Sequence, residues 1–177
     1  METDVYNKLN EIRKRLGSQK FGQICQDLLA LSIAEAGLNT VSVEVNNIEG
    51  IDIIIDDNNF GRYAIEVKTT SGETINLGEK DYNGFKKYGG KKYNTILAVL
   101  KIDLHAEWIL ADVSKRRRKY NLKVNELYTK DEYKELANEI NKNFGKLVKE
   151  NYEGILNEGM EYLKRKLKEK SIKYSGE

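Results

Sequence analysis

The chain has 177 residues, with 30 Lys and Arg against 28 Asp and Glu, one Cys, one His, one Trp and no Pro. That length suits a single domain with one substantial core. Hydrophobic residues at 40% with 33% charged describe a globular protein rather than a disordered tail. The longest apolar runs, Ile53-Ile54-Ile55 and Ile96-Leu97-Ala98-Val99-Leu100, fall far short of the ~20 residues a bilayer needs. The opening Met1-Glu2-Thr3-Asp4 is acidic and has no apolar signal region, so a cytoplasmic protein is expected.

Lone Cys25 excludes an internal disulfide, and together with His105 it cannot assemble a Cys/His zinc site. The chemically useful inventory is therefore carboxylates, Lys and Arg, which favours hard cations on oxygen ligands. Charge is unevenly spread. Residues 1–100 carry a formal −2 and residues 101–177 carry +4, the latter including the run Lys115-Arg116-Arg117-Arg118-Lys119. Such a run attracts phosphate, although a merely solvated surface is an equally good reading of it alone.

Taken in chain order, an amphipathic stretch Val5 to Leu16 comes first. The spacing of Phe21, Ile24, Cys25, Leu28, Leu29, Leu31 and Ile33 then predicts a helix, with Ser18 as N-cap and Gly37 as its stop. The period then drops to two. Val41, Val43 and Val45 mark a first strand, Ile51 to Asp56 a second with Ile51, Ile53 and Ile55 on one face, and Arg62 to Thr69 a third. Ser71 to Gly78 reads as loop, and Glu79 to Tyr88 as a short helix ended by Gly89-Gly90. Asn94 to Leu100 reads as a strand buried on both faces, and Glu107 to Val113 as another. Leu127, Tyr133, Leu136 and Ile140 mark one further helix, and Leu147 to Leu167 a longer one carrying Gly154 and Gly159. The order predicts an α/β layered domain over residues 1–113, followed by a basic helical extension over 114–177 packed on the same domain.

Strand alternation places Asp52, Ile54 and Asp56 on one face, and Arg62, Ala64, Glu66 and Lys68 on one face of the next strand. If the five residues 57–61 form the hairpin loop, Asp56 pairs with Arg62 and Asp52 comes opposite Glu66, with Cβ atoms about 5 Å apart. A two-residue loop at Asn58-Asn59 would instead turn Asp52 away. The odd-length loop is preferred because it keeps Tyr63, Ile65 and Val67 on the face of Ile51, Ile53 and Ile55. Two opposed carboxylates repel unless something positive lies between them, and a divalent cation is the obvious candidate. The second ExK in the chain, Glu132-Tyr133-Lys134, has no partnered Asp strand and reads as ordinary helix surface.

Gly50-Ile51-Asp52-Ile53-Ile54-Ile55 followed by Tyr63-Ala64-Ile65-Glu66-Val67-Lys68-Thr69-Thr70 resembles the core motif of the PD-(D/E)xK nuclease superfamily, which includes restriction endonucleases and archaeal Holliday-junction resolvases. The similarity spans about residues 18 to 113. It implies a restriction-endonuclease-like core, α-βββ-α-β with a mixed central sheet, and a metal-dependent endonuclease that hydrolyses DNA, branched or linear. By the resemblance, Asp52, Glu66 and the Val67 carbonyl would hold Mg²⁺ or Mn²⁺, and Lys68 would serve the attacking water and the developing phosphate charge.

Many members place a Glu on the first core helix. Gln26 stands at that position, which leaves open a catalytically inactive nucleic-acid-binding or interaction module, and Gln26 also reads as a polar residue on an exposed helical face. Thr69, Thr70 and Ser71, just after the motif, can donate to phosphates, and by the same resemblance Lys80 stands where the following helix of some relatives supplies a Gln or Lys near the site. Lys86, Lys87, Lys91 and Lys92, interleaved with tyrosines, and Arg116, Arg117 and Arg118 complete the expected DNA-binding set. Tyr82, Phe85 and Tyr88 are expected to face the core. The apolar stripe from Leu147 to Leu167 reads either as a homodimer surface, which cutting both strands would call for, or as a helix packed on its own chain.

Overall fold

A computed structural model describes residues 3–37, 40–46, 50–57, 61–104 and 107–175, with residues 40–46 and 175 described by their backbone alone. His105 and residues 58–60, where the hairpin loop is expected, lie outside this set. Two helices open the chain, α1 (Thr3–Leu16) and α2 (Ser18–Glu35), joined at Gly17, whose φ of 84° is natural only for glycine. Three antiparallel strands follow: β1 (Thr40–Asn46), β2 (Ile53–Asp57) and β3 (Gly61–Thr70). A short β4 (Thr74–Asn76) and helix α3 (Glu79–Gly90) lead to β5 (Asn94–Lys101), which returns parallel to β3, and then β6 (Trp108–Ala111). After β7 (Asn121–Lys123) come α4 (Lys134–Glu158), α5 (Met160–Glu169) and β8 (Lys173–Ser175).

The result is an α/β architecture built on a mixed six-stranded sheet in the order β6-β5-β3-β2-β1-β8, with β4 and β7 forming a separate ribbon. β5 is the element buried on both faces, as its unbroken apolar run predicts. Ile96, Ala98 and Leu100 belong to one core, and Leu97 and Val99 to the other. The first core lies beneath α1, α2, α4 and α5 and also takes Ile53, Ile55 and Ile65. The second lies beneath α3 and the ribbon and takes Ile54, Ala64, Tyr82, Phe85 and Tyr88. Tyr82, Phe85 and Tyr88 therefore face inward, as expected.

Several sequence expectations need correction. Ser18 is the first helical residue rather than the cap; Gly17 holds the cap position and no side chain caps the helix. Ile51 joins the second core, opposite Ile53 and Ile55, because the ladder begins only at Ile53 and Gly50 turns the chain with a φ of 74°. The loop 71–78 contains β4, which pairs with the unexpected β7. The helix expected from Leu127 starts at Lys134, and a final strand, β8, pairs parallel to β1. Of the two readings of the apolar stripe from Leu147 to Leu167, the structure shows packing on its own chain: Leu147, Val148, Ile155, Leu163 and Leu167 are buried in the first core together with Phe144.

Candidate functional site

The register between β2 and β3 builds the site. Asp56 pairs with Arg62, Ile54 with Ala64 and Ile53 with Ile65, the odd-loop pairing that the apolar faces favour. Beyond Ile53 the chain bends, yet the contact continues: the Asp52 N–H donates to the Ile65 carbonyl at 2.9 Å. The Val67 N–H in turn donates to Asp52 Oδ2 at 2.8 Å. Asp52 is thereby held against the strand segment that carries Glu66 and Lys68.

Gly50 makes this approach workable. A Cβ there would lie 2.2 Å from the Lys80 carbonyl oxygen and 2.8 Å from its carbon, so the chain entering β2 touches the first turn of α3 backbone to backbone. That contact brings in a residue which strand alternation alone does not reveal, Asp81. Lys68 Nζ lies 2.8 Å from Glu66 Oε1 and 3.0 Å from Asp81 Oδ2. Asp81 Oδ2 also accepts the Gly78 N–H at 2.9 Å, which fixes the carboxylate at the start of α3, where the helix dipole favours negative charge. The sequence signal for Asp81 was its place in the first turn of the helix that follows the ExK strand.

Three carboxylates and one ammonium make an electrostatically unfinished set. Burial raises the Glu66 carboxyl, and the neighbouring Asp52 charge raises it further, to about 9 despite Lys68. Asp52 is also raised, chiefly by burial, with the Val67 N–H and Lys68 opposing. Burial works to lower the Lys68 ammonium, but Glu66 and Asp81 outweigh it and hold Lys68 above the ordinary lysine range. Glu66 Oε2 is buried and has no hydrogen-bond partner. A proton or a cation would satisfy it.

The donor types suit a hard cation, since Asp52 and Glu66 offer carboxylate oxygens and one of them is orphaned. Among the described residues no group of three or more His, Cys, Asp or Glu side chains is arranged to hold a metal ion. Gln26 is buried on α2, which packs against the opposite face of the sheet, and the exposed-face reading of it is overturned.

The structure also draws the basic segments together. Tyr82, the residue after Asp81, donates its hydroxyl to the Lys119 carbonyl at 2.7 Å and accepts the Lys119 N–H at 3.1 Å. The Arg118 guanidinium lies 5.3 Å from the Tyr82 ring, and its Nη2 reaches Asn83 Oδ1 at 3.5 Å. The run 115–119 is thus tied to α3, on the sheet face that carries Lys68. Arg117 and Arg118 are exposed and Arg116 partly so, stacked 5.6 Å from the Tyr128 ring. Lys80, Lys86, Lys87, Lys91 and Lys92 are exposed along α3 and just beyond it. Thr69 and Thr70 end β3 at a cleft on the α2 side.

Comparison with protein-family models, with curated proteins and with solved structures finds no match to this chain. No helix among the described residues is long and apolar enough to cross a membrane.

Proposed function

We propose that this chain is a metal-dependent endonuclease of the PD-(D/E)xK type, with a restriction-endonuclease-like core, that hydrolyses DNA phosphodiester bonds. The observation that carries the reading is the half-buried Asp52 beside the buried Glu66, one of whose carboxylate oxygens is orphaned, next to a lysine held charged on the same face. The α3 lysines and the 115–119 run on that face support a polyanionic substrate.

Asp52 and Glu66 would hold Mg²⁺ or Mn²⁺, with the Val67 carbonyl as a third oxygen. Such an ion, when bound, neutralises phosphate and acidifies water. Lys68, anchored by Asp81, keeps its proton and is set to donate to charge developing on a phosphate oxygen rather than to take a proton from water. Asp81 keeps Lys68 in place when Glu66 turns its oxygens to another cation. The Val67 N–H orients Asp52.

Incubation with supercoiled, linear and branched DNA in Mg²⁺ or Mn²⁺ tests this. Wild type is expected to cleave, and Asp52→Ala to lose about 10²–10³-fold in rate, the loss typical of removing a charge-stabilising group. Equal inertness of the two proteins on all three substrates would sink the reading. A second reading, a DNA-binding module without catalysis, is favoured by one observation: both oxygens that hold Lys68 belong to carboxylates, so the ammonium already compensates part of the site. It predicts metal-independent binding that survives Lys68→Ala.

A further inference from the structure

The cleft where β3 ends is lined by residues from four segments: Arg13 on α1, Ser18 and Phe21 on α2, Thr69, Thr70 and Ser71 at the end of β3, and Ile102 just past β5. Its volume is about 240 Å³. At roughly 30 Å³ per water, that is room for a tetrahedral oxyanion with some of its hydration shell. Phe21 and Ile102, both buried, form an apolar wall that lowers the local dielectric.

Its polar side chains are poorly engaged with protein. Thr70 Oγ1 donates to the Thr74 carbonyl at 3.2 Å and accepts the Gly72 N–H at 3.0 Å. The Arg13 guanidinium and the hydroxyls of Ser18, Thr69 and Ser71 make no hydrogen bond or ion pair with any described residue. Four residues whose side-chain donors are unpartnered among the described residues therefore line one cleft, and no acidic residue does. The first turn of α2, which opens onto it, also carries no acid. The geometry is that of an oxyanion receptor: a fork-shaped cation, hydroxyl donors and a dry wall. Thr70 lies two residues beyond Lys68, about 6.6 Å along the strand.

We propose that this cleft, at the end of the strand that carries Glu66 and Lys68 but on its α2 side, binds a backbone phosphate of a nucleic-acid strand. The proposal rests on the phosphodiester reading for its occupant. Arg13 and Thr69 supply the principal contacts, and the phosphate is held without metal.

The test is run in EDTA, where no cleavage competes. Fluorescence anisotropy of labelled single-stranded and duplex oligonucleotides is measured against salt for wild type, Arg13→Gln, Thr69→Val and the control Arg15→Gln, an exposed residue of the same helix. Arg13→Gln is expected to weaken binding about tenfold and to flatten the slope of log K against log salt by about 0.7–0.9, the value of one lost phosphate contact. Thr69→Val is expected to weaken binding several-fold, and Arg15→Gln to change nothing. A parallel titration with inorganic phosphate, followed by amide NMR shifts, is expected to move Ser18 to Phe21 and Thr69 to Ser71.

If Arg13→Gln and Thr69→Val bind oligonucleotide as wild type does, or wild type binds neither probe, the proposal is overturned. Shifts with inorganic phosphate but no oligonucleotide binding would overturn the nucleic-acid occupant in favour of a free phosphate. The two readings fail separately. Loss of binding in Arg13→Gln without Mg²⁺-dependent cleavage by wild type keeps the cleft and removes the nuclease. Cleavage sensitive to Asp52→Ala but binding indifferent to Arg13 does the reverse.

Discussion

Glu66 is where the chemistry of single residues concentrates. Its carboxyl is raised by burial and by Asp52, so the folded protein holds a proton there that the unfolded chain releases near the ordinary carboxylate range. The stability this lends is fully present below about pH 4.5 and is lost as pH rises towards about 9. In EDTA, urea midpoints of the wild type are therefore expected to fall between pH 6 and pH 8.5 more steeply than those of Glu66→Gln. At the upper pH the variant should be the more stable by about 1–3 kcal/mol, the cost of a buried unsatisfied group. A steeper fall in the variant would contradict the assignment. Asp81→Asn tests the other end of the same lysine. It removes one of the two carboxylates that Lys68 contacts, and the cleavage rate is expected to drop about tenfold with KM little changed, since the residue positions rather than binds. A change confined to KM would place Asp81 in substrate binding instead.

Among elements, the joint between β2 and α3 is decisive. Gly50 meets the Lys80 carbonyl with no room for a Cβ and sits at a φ of 74°. Gly50→Ala is expected to cost about 2–3 kcal/mol and to part Asp52 from Lys68, read as a lowered melting temperature together with lost cleavage. Full activity in this variant would show that the close contact is dispensable. α2 offers a second test, away from the site. Asp27 is fully buried there, and burial lifts its carboxyl to about 7 although Gln23 and Lys164 pull it down. Gln23 links it to the C-terminal strand by donating to Asp27 Oδ1 at 3.1 Å and to the Tyr174 hydroxyl at 2.9 Å. Because the pKa is raised, this contribution to stability is present below the ordinary aspartate range and lost as pH climbs through 7. Asp27→Asn should thus be more stable than wild type at pH 8 and gain little at pH 4, checked by thermal melts at the two pH values.

For the whole molecule, the C-terminal third completes the core instead of extending it. Trp108 on β6 packs edge-on against Phe144 of α4 at 5.5 Å between ring centroids, and both are almost fully buried. Phe144→Ala is expected to cost about 3–5 kcal/mol by denaturant titration, with the loss spread over the sheet because the cavity opens beneath it. Truncation before Lys134 should leave α1 and α2 without their cover and abolish cooperative unfolding. The surface charge is likewise arranged by the fold. The 115–119 run is distant in sequence from the ExK strand, and Tyr82 ties it to the same face.

Local pattern carried much of this. Period-two alternation around Ile53–Ile55 and Tyr63–Val67 determined the hairpin register, because any other pairing would mix apolar and charged groups on both faces. An uninterrupted apolar run marked β5 as central, and strand alternation put Glu66 and Lys68 on one face with Asp52 on the neighbouring strand. What only the tertiary structure decided lies where backbone meets backbone or where distant segments converge. The turn at Gly50 sends Ile51 to the opposite core, α3 delivers Asp81 to Lys68, and α1 and α2 bring Arg13 and Ser18 to the end of β3. Short ribbons such as β4 and β7 escape periodicity because three residues are too few to show a period. Gln26 reads as exposed by polarity and is buried by its place in the helix stack. Sequence fixes which face a side chain takes along one element; which other element closes over that face is set by long-range packing, and no local pattern encodes it.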